Sequence, residues 1–393
     1  MSDSNTEFLI CSERFRSKED EMKTSTSTEQ KRTESLVKFE VHNFLAHQVS
    51  TPQLLLNRVE HVHYLLRSLK ELGNSYVTLD ASRTWLCYWA VHALNVLEAE
   101  IPAELKSEIV IFLRTCEHPD GGYGGGPGQY PHLAPTYAAV MCLLSLKTEE
   151  ALQSINRQKI KSFLLTMKQP NGGFSMHNGG EIDMRGAYCA LSVAGILGIL
   201  DPVLKEGAAE WIVCCQTYEG GFGGEPGVEA HGGYAFCAVA ALVLLDKYRL
   251  MDDDKFIHWL AHRQLKYEGG FQGRTNKLVD GCYSFWQAAA FPLLEKELER
   301  NHRQVDQSLF NSRMLEEYIL VGCQDPRGGL RDKPDKPRDL YHTCYVLSGY
   351  SVAQYYSLKS GNIVGDGSNK VAPINPLFNI TAESEKFATN FFV

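Results

Sequence analysis

The chain contains the stretch Gly220-Gly-Phe-Gly-Gly-Glu-Pro-Gly-Val-Glu-Ala-His231-Gly-Gly-Tyr234, in which a glycine pair leads into an apolar run opened by a tyrosine. The pattern occurs five times, with second glycines at Gly122, Gly173, Gly221, Gly270 and Gly329, and following tyrosines at Tyr137, Tyr188, Tyr234, Tyr283 and Tyr345. Spacings of 51, 48, 49 and 59 residues are typical of stacked units that bury their apolar faces against one another.

Each interval has room for two helices, one tyrosine-led and apolar and one amphipathic. Asp80 to Leu97 resembles the apolar half of a unit and adds a sixth such helix, with Ser82 as its cap. Six helical hairpins can form an open solenoid or a closed double ring. Because the tyrosine-led helices are apolar nearly all round, we expect them to be walled in on every side. The sequence therefore predicts an all-α fold, an α6–α6 barrel with the glycine loops at one mouth and few strands.

Composition limits the remaining possibilities. Residues 1–35 are polar and predict a flexible tail, and residues 36–393 predict one domain whose C-terminal segment, past Lys359, runs over the surface. A net charge of -8 argues against nucleic-acid binding through phosphate neutralisation. No apolar run is long enough to span a bilayer, and eleven cysteines, an odd number, favour buried thiols in a reducing, cytoplasmic setting. Asn379-Ile-Thr matches a glycosylation acceptor, which we interpret as a chance match.

A histidine or aspartate stands ten residues past the second glycine of every pair, at His132, Asp183, His231, Asp280 and Asp339. One interpretation is helix capping, for which aspartate is well suited and histidine is poorly suited. The other is a rim of ionisable groups around a shared mouth.

The fourth and fifth units favour a metal site. Asp280 and Cys282 are two residues apart in a non-helical lead-in, where alternate side chains point the same way. His342 has nearly the same register in the next unit. A thiolate, a carboxylate and an imidazole form a zinc set with one position open, which is typical of catalytic zinc. The alternative is that Cys282 is a buried apolar side chain.

Cationic and aromatic side chains lie near the same units. Arg274 and Lys277, with His231 and Tyr283 at neighbouring rim positions, suit an anion such as a diphosphate, unless the loop is simply solvated. The aromatic residues are either core or the wall of an apolar pocket; they are Trp85, Trp89, Tyr188, Tyr234, Tyr283 and Trp286.

Several motifs together resemble the β subunit of protein prenyltransferases. They are Val279-Asp-Gly-Cys-Tyr-Ser-Phe-Trp286, His231-Gly-Gly-Tyr-Ala-Phe-Cys237 and Asp339-Leu-Tyr-His-Thr-Cys344. Pro127-Gly-Gln-Tyr-Pro-His-Leu-Ala-Pro135 and Asp80-Ala-Ser-Arg-Thr-Trp-Leu-Cys-Tyr-Trp89 narrow the resemblance to the farnesyl-transferring branch. The resemblance covers about residues 40–356.

The resemblance implies an enzyme that transfers farnesyl from farnesyl diphosphate to a C-terminal Cys-a-a-X cysteine, as a heterodimer with an α subunit that supplies one lysine. It implies one zinc on Asp280, Cys282 and His342, and Mg²⁺ with the diphosphate at Asp332, a residue in the unit whose spacing expands. Diphosphate contacts are implied for His231, Arg274, Lys277 and Tyr283, and isoprenoid contacts for Arg185, Tyr188, Tyr234, Cys237 and Trp286. Peptide contacts are implied for Trp85, Trp89, Tyr341, His132, Ala134, Pro135, Glu181 and Arg185.

Three other functions share parts of this pattern. The β subunit of geranylgeranyltransferase type I has the same chemistry, but such relatives have a small residue in place of Trp85 and a lysine in place of Asp332. A terpene cyclase shares the barrel but requires an acid motif that is not found in this sequence. A non-catalytic helical scaffold with a structural zinc is the third alternative.

Overall fold

The computed structural model describes residues 23–46, 54–303, 308–356 and 363–392. Within these ranges it has seventeen α-helices: α1 (Ser25–Ala46), α2 (Arg58–Lys70), α3 (Arg83–Val96), α4 (Ala103–Thr115), α5 (Leu133–Ser145), α6 (Glu149–Gln153), α7 (Arg157–Met167), α8 (Met184–Ile196), α9 (Pro202–Lys205), α10 (Ala208–Cys214), α11 (Gly232–Leu244), α12 (Asp253–Ala261), α13 (Tyr283–Trp286), α14 (Ala290–Arg300), α15 (Ser312–Tyr318), α16 (Leu340–Tyr355) and α17 (Ala382–Phe392). Shorter 3₁₀ and π turns occupy Asn74–Ser82, Tyr248–Leu250, Ile319–Cys323 and Gly367–Asn369.

Strands are few and short in the described residues, as expected. They form two antiparallel pairs, β1 (Leu330–Arg331) with β2 (Arg338–Asp339), and β3 (Ile374–Asn375) with β4 (Ile380–Thr381). Leu330 lies opposite Asp339 in the first pair, and Ile374 lies opposite Thr381 in the second.

The inner helices form a closed ring. Helix α3 contacts α5, followed by α8, α11, α13 and α16 in order, and α16 contacts α3 again. These helices are buried on nearly every side; in α11, all residues from Ala235 to Leu242 are buried. The all-round apolar pattern therefore corresponds to helices enclosed by neighbours, and the closed arrangement predicted from it is confirmed.

The outer layer consists of α2, α4, α7, α10, α12 and α15, one preceding each inner helix along the chain. An outer helix buries a single stripe, as in α4, where Leu105, Ile109, Val110 and Leu113 are buried. Such one-sided burial is the expected arrangement for an amphipathic helix covering a core.

The glycine pairs recur because the backbone of the following outer helix comes too close for a side chain. A Cβ on Gly220 would lie 2.2 Å from the carbonyl oxygen of Lys255 in α12, and this glycine has a φ of +103°. The first glycines of the other four pairs also have positive φ and face a backbone carbonyl at 2.0–2.5 Å. For Gly328 the carbonyl belongs to Glu60 in α2, so the last glycine loop packs against the first outer helix.

Two expectations require correction: the extent of the N-terminal tail and the place of the expanded spacing. Helix α1 begins at Ser25, inside the predicted tail, and Gln30 Nε2 donates a hydrogen bond to Glu268 Oε1 at 2.7 Å. The expectation for residues 1–22 lies outside the described residues. The extra residues of the expanded spacing all lie before the start of α15. Asp332 stands three residues past Gly329, the repeat position that Gly224 and Gly273 hold in earlier units, so it does not belong to the expansion.

The C-terminal segment does not run over the surface, as we expected from its Gly, Asn and Pro content. Ile374, Phe378, Asn379 and Ile380 are buried. Asn379 is only 1% exposed, which leaves no room for a glycan and agrees with the interpretation of its motif as chance. In the described part of the chain, no helix combines the length and apolar character needed to cross a bilayer.

Gly220→Ala is expected to destabilise the fold more than Gly227→Ala, its matched control in the same loop. Both glycines have positive φ, which costs an alanine about 1–2 kcal/mol. A Cβ on Gly227 would have no atom within 4 Å, whereas a Cβ on Gly220 would meet the backbone of Lys255. The clash should add about 1–3 kcal/mol. Urea denaturation followed by circular dichroism measures the difference; equal losses for the two variants would contradict the close approach.

Candidate active site at the mouth of the barrel

Neighbouring glycine loops are joined by one repeated backbone hydrogen bond. In each case the donor is the backbone amide of the residue that follows the His or Asp of the rim. The acceptor is the carbonyl of the residue three positions past the second glycine of the next unit. The pairs are Leu133 to Met176, Met184 to Gly224 and Gly232 to Gly273, each at 2.8 Å, and Gly281 to Asp332 at 2.7 Å. This bond places equivalent positions of adjacent units side by side at the mouth.

Four of the five residues of the predicted rim are the N-caps of inner helices, and Asp280 accepts an equivalent amide hydrogen bond in the turn that leads into α13. Asp183, Asp280 and Asp339 accept backbone amide hydrogen bonds through a carboxylate oxygen, at 2.7–2.9 Å. His132 and His231 accept through Nδ1 at 3.0 Å, from Ala134 and Gly233 respectively. The capping interpretation is therefore confirmed even for the histidines. Capping also fixes their tautomer, because an Nδ1 that accepts leaves the proton on Nε2.

Asp280, Cys282 and His342 converge, as the repeat register predicted. Their possible ligand atoms all lie within 4.8 Å of one another. His342 Nε2 is 3.1 Å from Asp280 Oδ1, and Cys282 is buried. Cys282 lies in the lead-in to α13 and His342 in the first turn of α16, so two adjacent units supply the set. A thiol, a carboxylate and an imidazole at this separation match the donor chemistry of zinc.

Asp339 orients the imidazole of His342. Its Oδ1 accepts the His342 backbone amide, and its Oδ2 is 2.6 Å from His342 Nδ1. With Nδ1 bound in this way, Nε2 faces Asp280 and is the ring atom available as a ligand. A carboxylate behind a ligating histidine is the usual second partner in zinc sites.

The electrostatics of this cluster favour positive charge. Burial alone would lower the pKa of His342, but hydrogen bonds with Asp280 and Asp339 raise the pKa to about 10. Burial raises the pKa of the Cys282 thiol well above its ordinary value, and Asp280 raises it further. Burial would also raise the pKa of Asp280, but its hydrogen bond with His342 lowers it. A divalent cation would supply the positive charge that a proton on His342 otherwise provides.

A second group of donors lies one unit away. Tyr283 Oη is 2.9 Å from His231 Nε2. Because Nε2 carries the proton, the tyrosine oxygen accepts and its own O–H remains available to another acceptor. Burial, and then nearby Arg274, lower the pKa of His231, so the neutral ring is favoured.

The predicted cations lie in the glycine loop that leads into Tyr283. Arg274 is partly buried and pairs with Glu229 at 2.9 Å, whereas Lys277 is exposed. Asp332 forms an ion pair with the buried Lys333, and its pKa is raised by burial and by Asp280.

Aromatic side chains form a continuous belt inside the ring. Successive ring centroids are 4.5–5.6 Å apart around a closed circuit. The circuit runs through Trp89, Trp85, Tyr137, Tyr188, Phe236, Trp286, Tyr345 and Tyr341, and returns to Trp89. Trp286 Nε1 also donates to Tyr341 Oη at 3.0 Å. Every inner helix of the ring contributes at least one side chain, so the belt gives the barrel an apolar interior wall.

The residues expected at the peptide lie on neighbouring units of the rim. His132 precedes Ala134 and Pro135, which form the first turn of α5. On the next unit, Arg185 forms ion pairs with Asp183 and with Glu181, the latter at 3.3 Å. Tyr234 packs against His231, with centroids 5.4 Å apart, and Cys237 is buried further along α11.

Some surface depressions lie away from this rim. One of about 460 Å³ is lined by Asn171, Trp211, Cys214 and other residues, and contains no predicted site residue. We locate the site by its convergent donors and aromatic wall, because the depression offers neither.

Comparison with known proteins agrees with this geometry. Residues 56–380 match the family model described as "Prenyltransferase alpha-alpha toroid domain". The chain is 41% identical to the protein farnesyltransferase subunit beta of Arabidopsis thaliana, covering 90% of this chain and 87% of the relative. It is 42% identical to that of Pisum sativum, covering 86% and 94% respectively.

The chain belongs to the protein farnesyltransferase β-subunit family. A solved structure with the same fold is the Candida albicans protein geranylgeranyltransferase-I complexed with GGPP, with a TM-score of 0.72 and 24% identity, covering 86% of this chain and 99% of that one. The family resemblance and the α/α fold predicted from the sequence are confirmed.

Farnesyltransferase β-subunit motifs do not reveal every residue of this mouth. Asp339 is one of the five rim residues, but the rim pattern does not predict its hydrogen bond to His342. The sequence marks Tyr137 and Tyr345 only as openings of apolar helices, and it does not distinguish Phe236. The spacing between the glycine pairs and the tyrosines could have distinguished the two groups. Tyrosines 15 or 16 residues past the second glycine lie in the belt; they are Tyr137, Tyr188 and Tyr345. Tyr234 and Tyr283 stand 13 residues past it and contact His231 at the rim.

Proposed function

We propose that the chain transfers farnesyl from farnesyl diphosphate to the cysteine thiol of C-terminal Cys-a-a-X sequences. The single observation that carries the proposal is the convergence of Asp280, Cys282 and His342 beside the donors His231 and Tyr283, above an aromatic belt. The three clustered residues suit a thiol nucleophile, the two donors suit an anionic leaving group, and the belt suits an apolar chain.

Asp280, Cys282 and His342 would hold one zinc ion, with Asp339 fixing the His342 ring. When bound, zinc lowers the pKa of a coordinated thiol so that it is present as thiolate at neutral pH. The substrate sulfur then forms a bond to carbon 1 of the farnesyl group while the carbon–oxygen bond breaks, and the electron pair leaves with the diphosphate.

The chain's own residues stabilise the leaving group. The free O–H of Tyr283, polarised by His231 Nε2–H, can donate to a diphosphate oxygen. Arg274 and Lys277 supply positive charge from the same loop. Asp332 is proposed to hold Mg²⁺ at the diphosphate, where the ion would compete with Lys333 for the carboxylate.

The part of the aromatic belt around Tyr188 and Trp286, with Arg185, Tyr234 and Cys237, is proposed to bind the isoprenoid, and Trp85 is proposed to close the far end of that pocket as well as to border the peptide. The other side of the mouth would bind the peptide. Its residues are Trp85, Trp89 and Tyr341 beside the third residue, His132, Ala134 and Pro135 beside the last, and Glu181 with Arg185 near the carboxylate.

A farnesyltransferase α subunit is the proposed partner. Two points support this partner. The relatives are named as β subunits, and the family resemblance assigns one lysine of the reaction to an α subunit. We also propose a cytoplasmic location, because all ten cysteines in the described part of the chain are free thiols.

Co-expression with a farnesyltransferase α subunit tests the proposal. The complex should farnesylate a peptide ending in Cys-a-a-X, and should not modify the matched peptide with serine in place of cysteine. The chain alone should be inactive. A folded complex without transfer, or with a clear preference for geranylgeranyl diphosphate, would contradict the proposal.

Cys282→Ala should abolish stoichiometric zinc and turnover while retaining the helical fold, because the core of the barrel lies elsewhere. Cys344→Ala is the matched control, since Cys344 is a buried thiol in α16, the helix that also carries His342. Elemental analysis of the purified complexes measures zinc per chain. Full zinc content in the Cys282 variant would remove the site assignment.

Trp85→Thr should shift lipid preference from farnesyl towards geranylgeranyl diphosphate. In the belt, Trp85 contacts Trp89 and Tyr137 at centroid distances of 5.6 Å, so an extra isoprene unit must displace the indole or fill its volume. Overpacking costs roughly 1–3 kcal/mol, which corresponds to about 5- to 200-fold in preference.

Competition between the two diphosphates measures the product ratio. Trp89→Thr is the control, because Trp89 contacts Tyr341 on the peptide side; it should mainly raise the KM for peptide. An unchanged product ratio in folded Trp85→Thr would mean that Trp85 does not limit lipid length.

A further inference from the structure

Helix α1 lies across the two glycine loops that meet at the metal cluster. Gln30 Nε2 donates a hydrogen bond to Glu268 Oε1 at 2.7 Å, and Glu268 directly precedes the glycine pair of the fourth unit. Glu40 Oε1 accepts from Arg331 Nη2 at 3.2 Å, and Arg331 stands two residues past the second glycine of the fifth unit. These contacts are ten residues apart on α1, about 15 Å along its axis. One helix therefore touches both units.

Both contacts are shielded from water. Glu268 is 1% exposed, and the side chains of Arg331 and Glu40 are 14% and 31% exposed. Val37 and Val41 of the same helix are buried. Because a partly buried ion pair is screened less than one on the surface, the pair with Glu40 holds Arg331 more firmly than an exposed partner would.

Arg331 connects α1 to the cluster through the backbone. A Cβ on Gly281 would lie 2.8 Å from the carbonyl oxygen of Arg331, so the two backbones are in direct contact. The next carbonyl, that of Asp332, accepts the Gly281 amide at 2.7 Å. Gly281 stands between Asp280 and Cys282, so a movement of Arg331 would shift both of these ligands.

The same strand reaches the third ligand. Leu330, which precedes Arg331 in β1, lies opposite Asp339 in β2. Asp339 in turn orients His342 through its carboxylate. On the fourth unit, Glu268 leads through the glycine pair to Phe271, whose carbonyl accepts the Asp280 amide at 3.0 Å. Helix α1 is thus joined to the backbone on both sides of the cluster.

We propose that α1 fixes the register of the fourth and fifth units, and that Glu40 is a positioning residue that keeps Asp280, Cys282 and His342 together by acting through Arg331. The inference deepens the proposed function and rests on its zinc assignment. It gives the N-terminal helix a role in metal retention, although α1 supplies no metal ligand itself.

Glu40→Ala tests the register directly, because it removes the acceptor that holds Arg331. Glu29→Ala is the matched control: it makes the same substitution in the same helix, where Glu29 pairs with Arg32 of α1 at 3.7 Å. Hydrogen exchange is followed by mass spectrometry on the complex with the α subunit. The segment containing Gly281 should exchange about three- to tenfold faster in Glu40→Ala, because its bond to Asp332 opens more often. Glu29→Ala should leave the exchange unchanged.

Release of zinc to a chelator provides a second measurement. Glu40→Ala should lose zinc about three- to tenfold faster, less than the roughly 10- to 100-fold effect of a residue that bonds directly to a ligand. Arg331→Ala should accelerate the loss as well. Because Glu40 acts through Arg331, Glu40→Ala should add nothing when Arg331 is already alanine.

Unchanged exchange at Gly281 in folded Glu40→Ala, an equal change in Glu29→Ala, or additive effects in the double variant would overturn the inference. If Arg331→Ala does not fold, Glu40→Gln replaces it. Glutamine keeps an oxygen that can accept from Arg331, so slower exchange and slower zinc loss than in Glu40→Ala are expected, and no recovery would again overturn the inference. Wild-type complex that retains zinc but transfers no farnesyl would contradict the proposed function and leave the exchange result intact, so the two failures are distinguishable.

Discussion

The backbone hydrogen bond between neighbouring glycine loops determines which side chains meet at the mouth. At the decisive junction, the amide of Gly281 donates to the carbonyl of Asp332 at 2.7 Å. Each junction joins the residue after one rim position to the loop of the next unit, so the lead-in of the fourth unit lies beside the first turn of α16. A shift of one residue would separate Asp280 and Cys282 from His342. The glycine pairs make this register possible, because they let each loop lie directly against an outer helix.

The side chains of the rim both accept backbone amides and take part in the proposed chemistry. An aspartate cap accepts an amide with one oxygen and keeps the other for a second group, as Asp339 does with His342. A histidine cap accepts at Nδ1 and so presents Nε2–H, as His231 does towards Tyr283. The fold thus orients these groups before any ligand binds, which reduces the ordering that binding would otherwise require.

The barrel and the Asp280, Cys282 and His342 cluster could be predicted because a sequence repeat maps directly onto spatial neighbours. The burial of the C-terminal segment could not be predicted. Asn379 is held by Tyr88 and His92, which lie nearly three hundred positions earlier in the chain, and its local sequence has the composition of a surface loop. The first half of helix α1 escapes prediction for a related reason: its contacts, such as Gln30 with Glu268, are polar, and the buried apolar residues Val37 and Val41 come only in its second half. The belt could be predicted in part, since its rings follow the repeat but its closure depends on Phe236 and Tyr345.

X-ray absorption at the zinc edge, on the purified complex, tests most directly whether the register of two adjacent units builds the metal site. Asp280, Cys282 and His342 predict one zinc per chain with a single sulfur at about 2.3 Å and nitrogen or oxygen ligands at about 2.0–2.2 Å. Cys282→Ala should remove the sulfur signal or the zinc itself. A spectrum with no sulfur, or with several sulfurs in the substrate-free complex, would contradict the account.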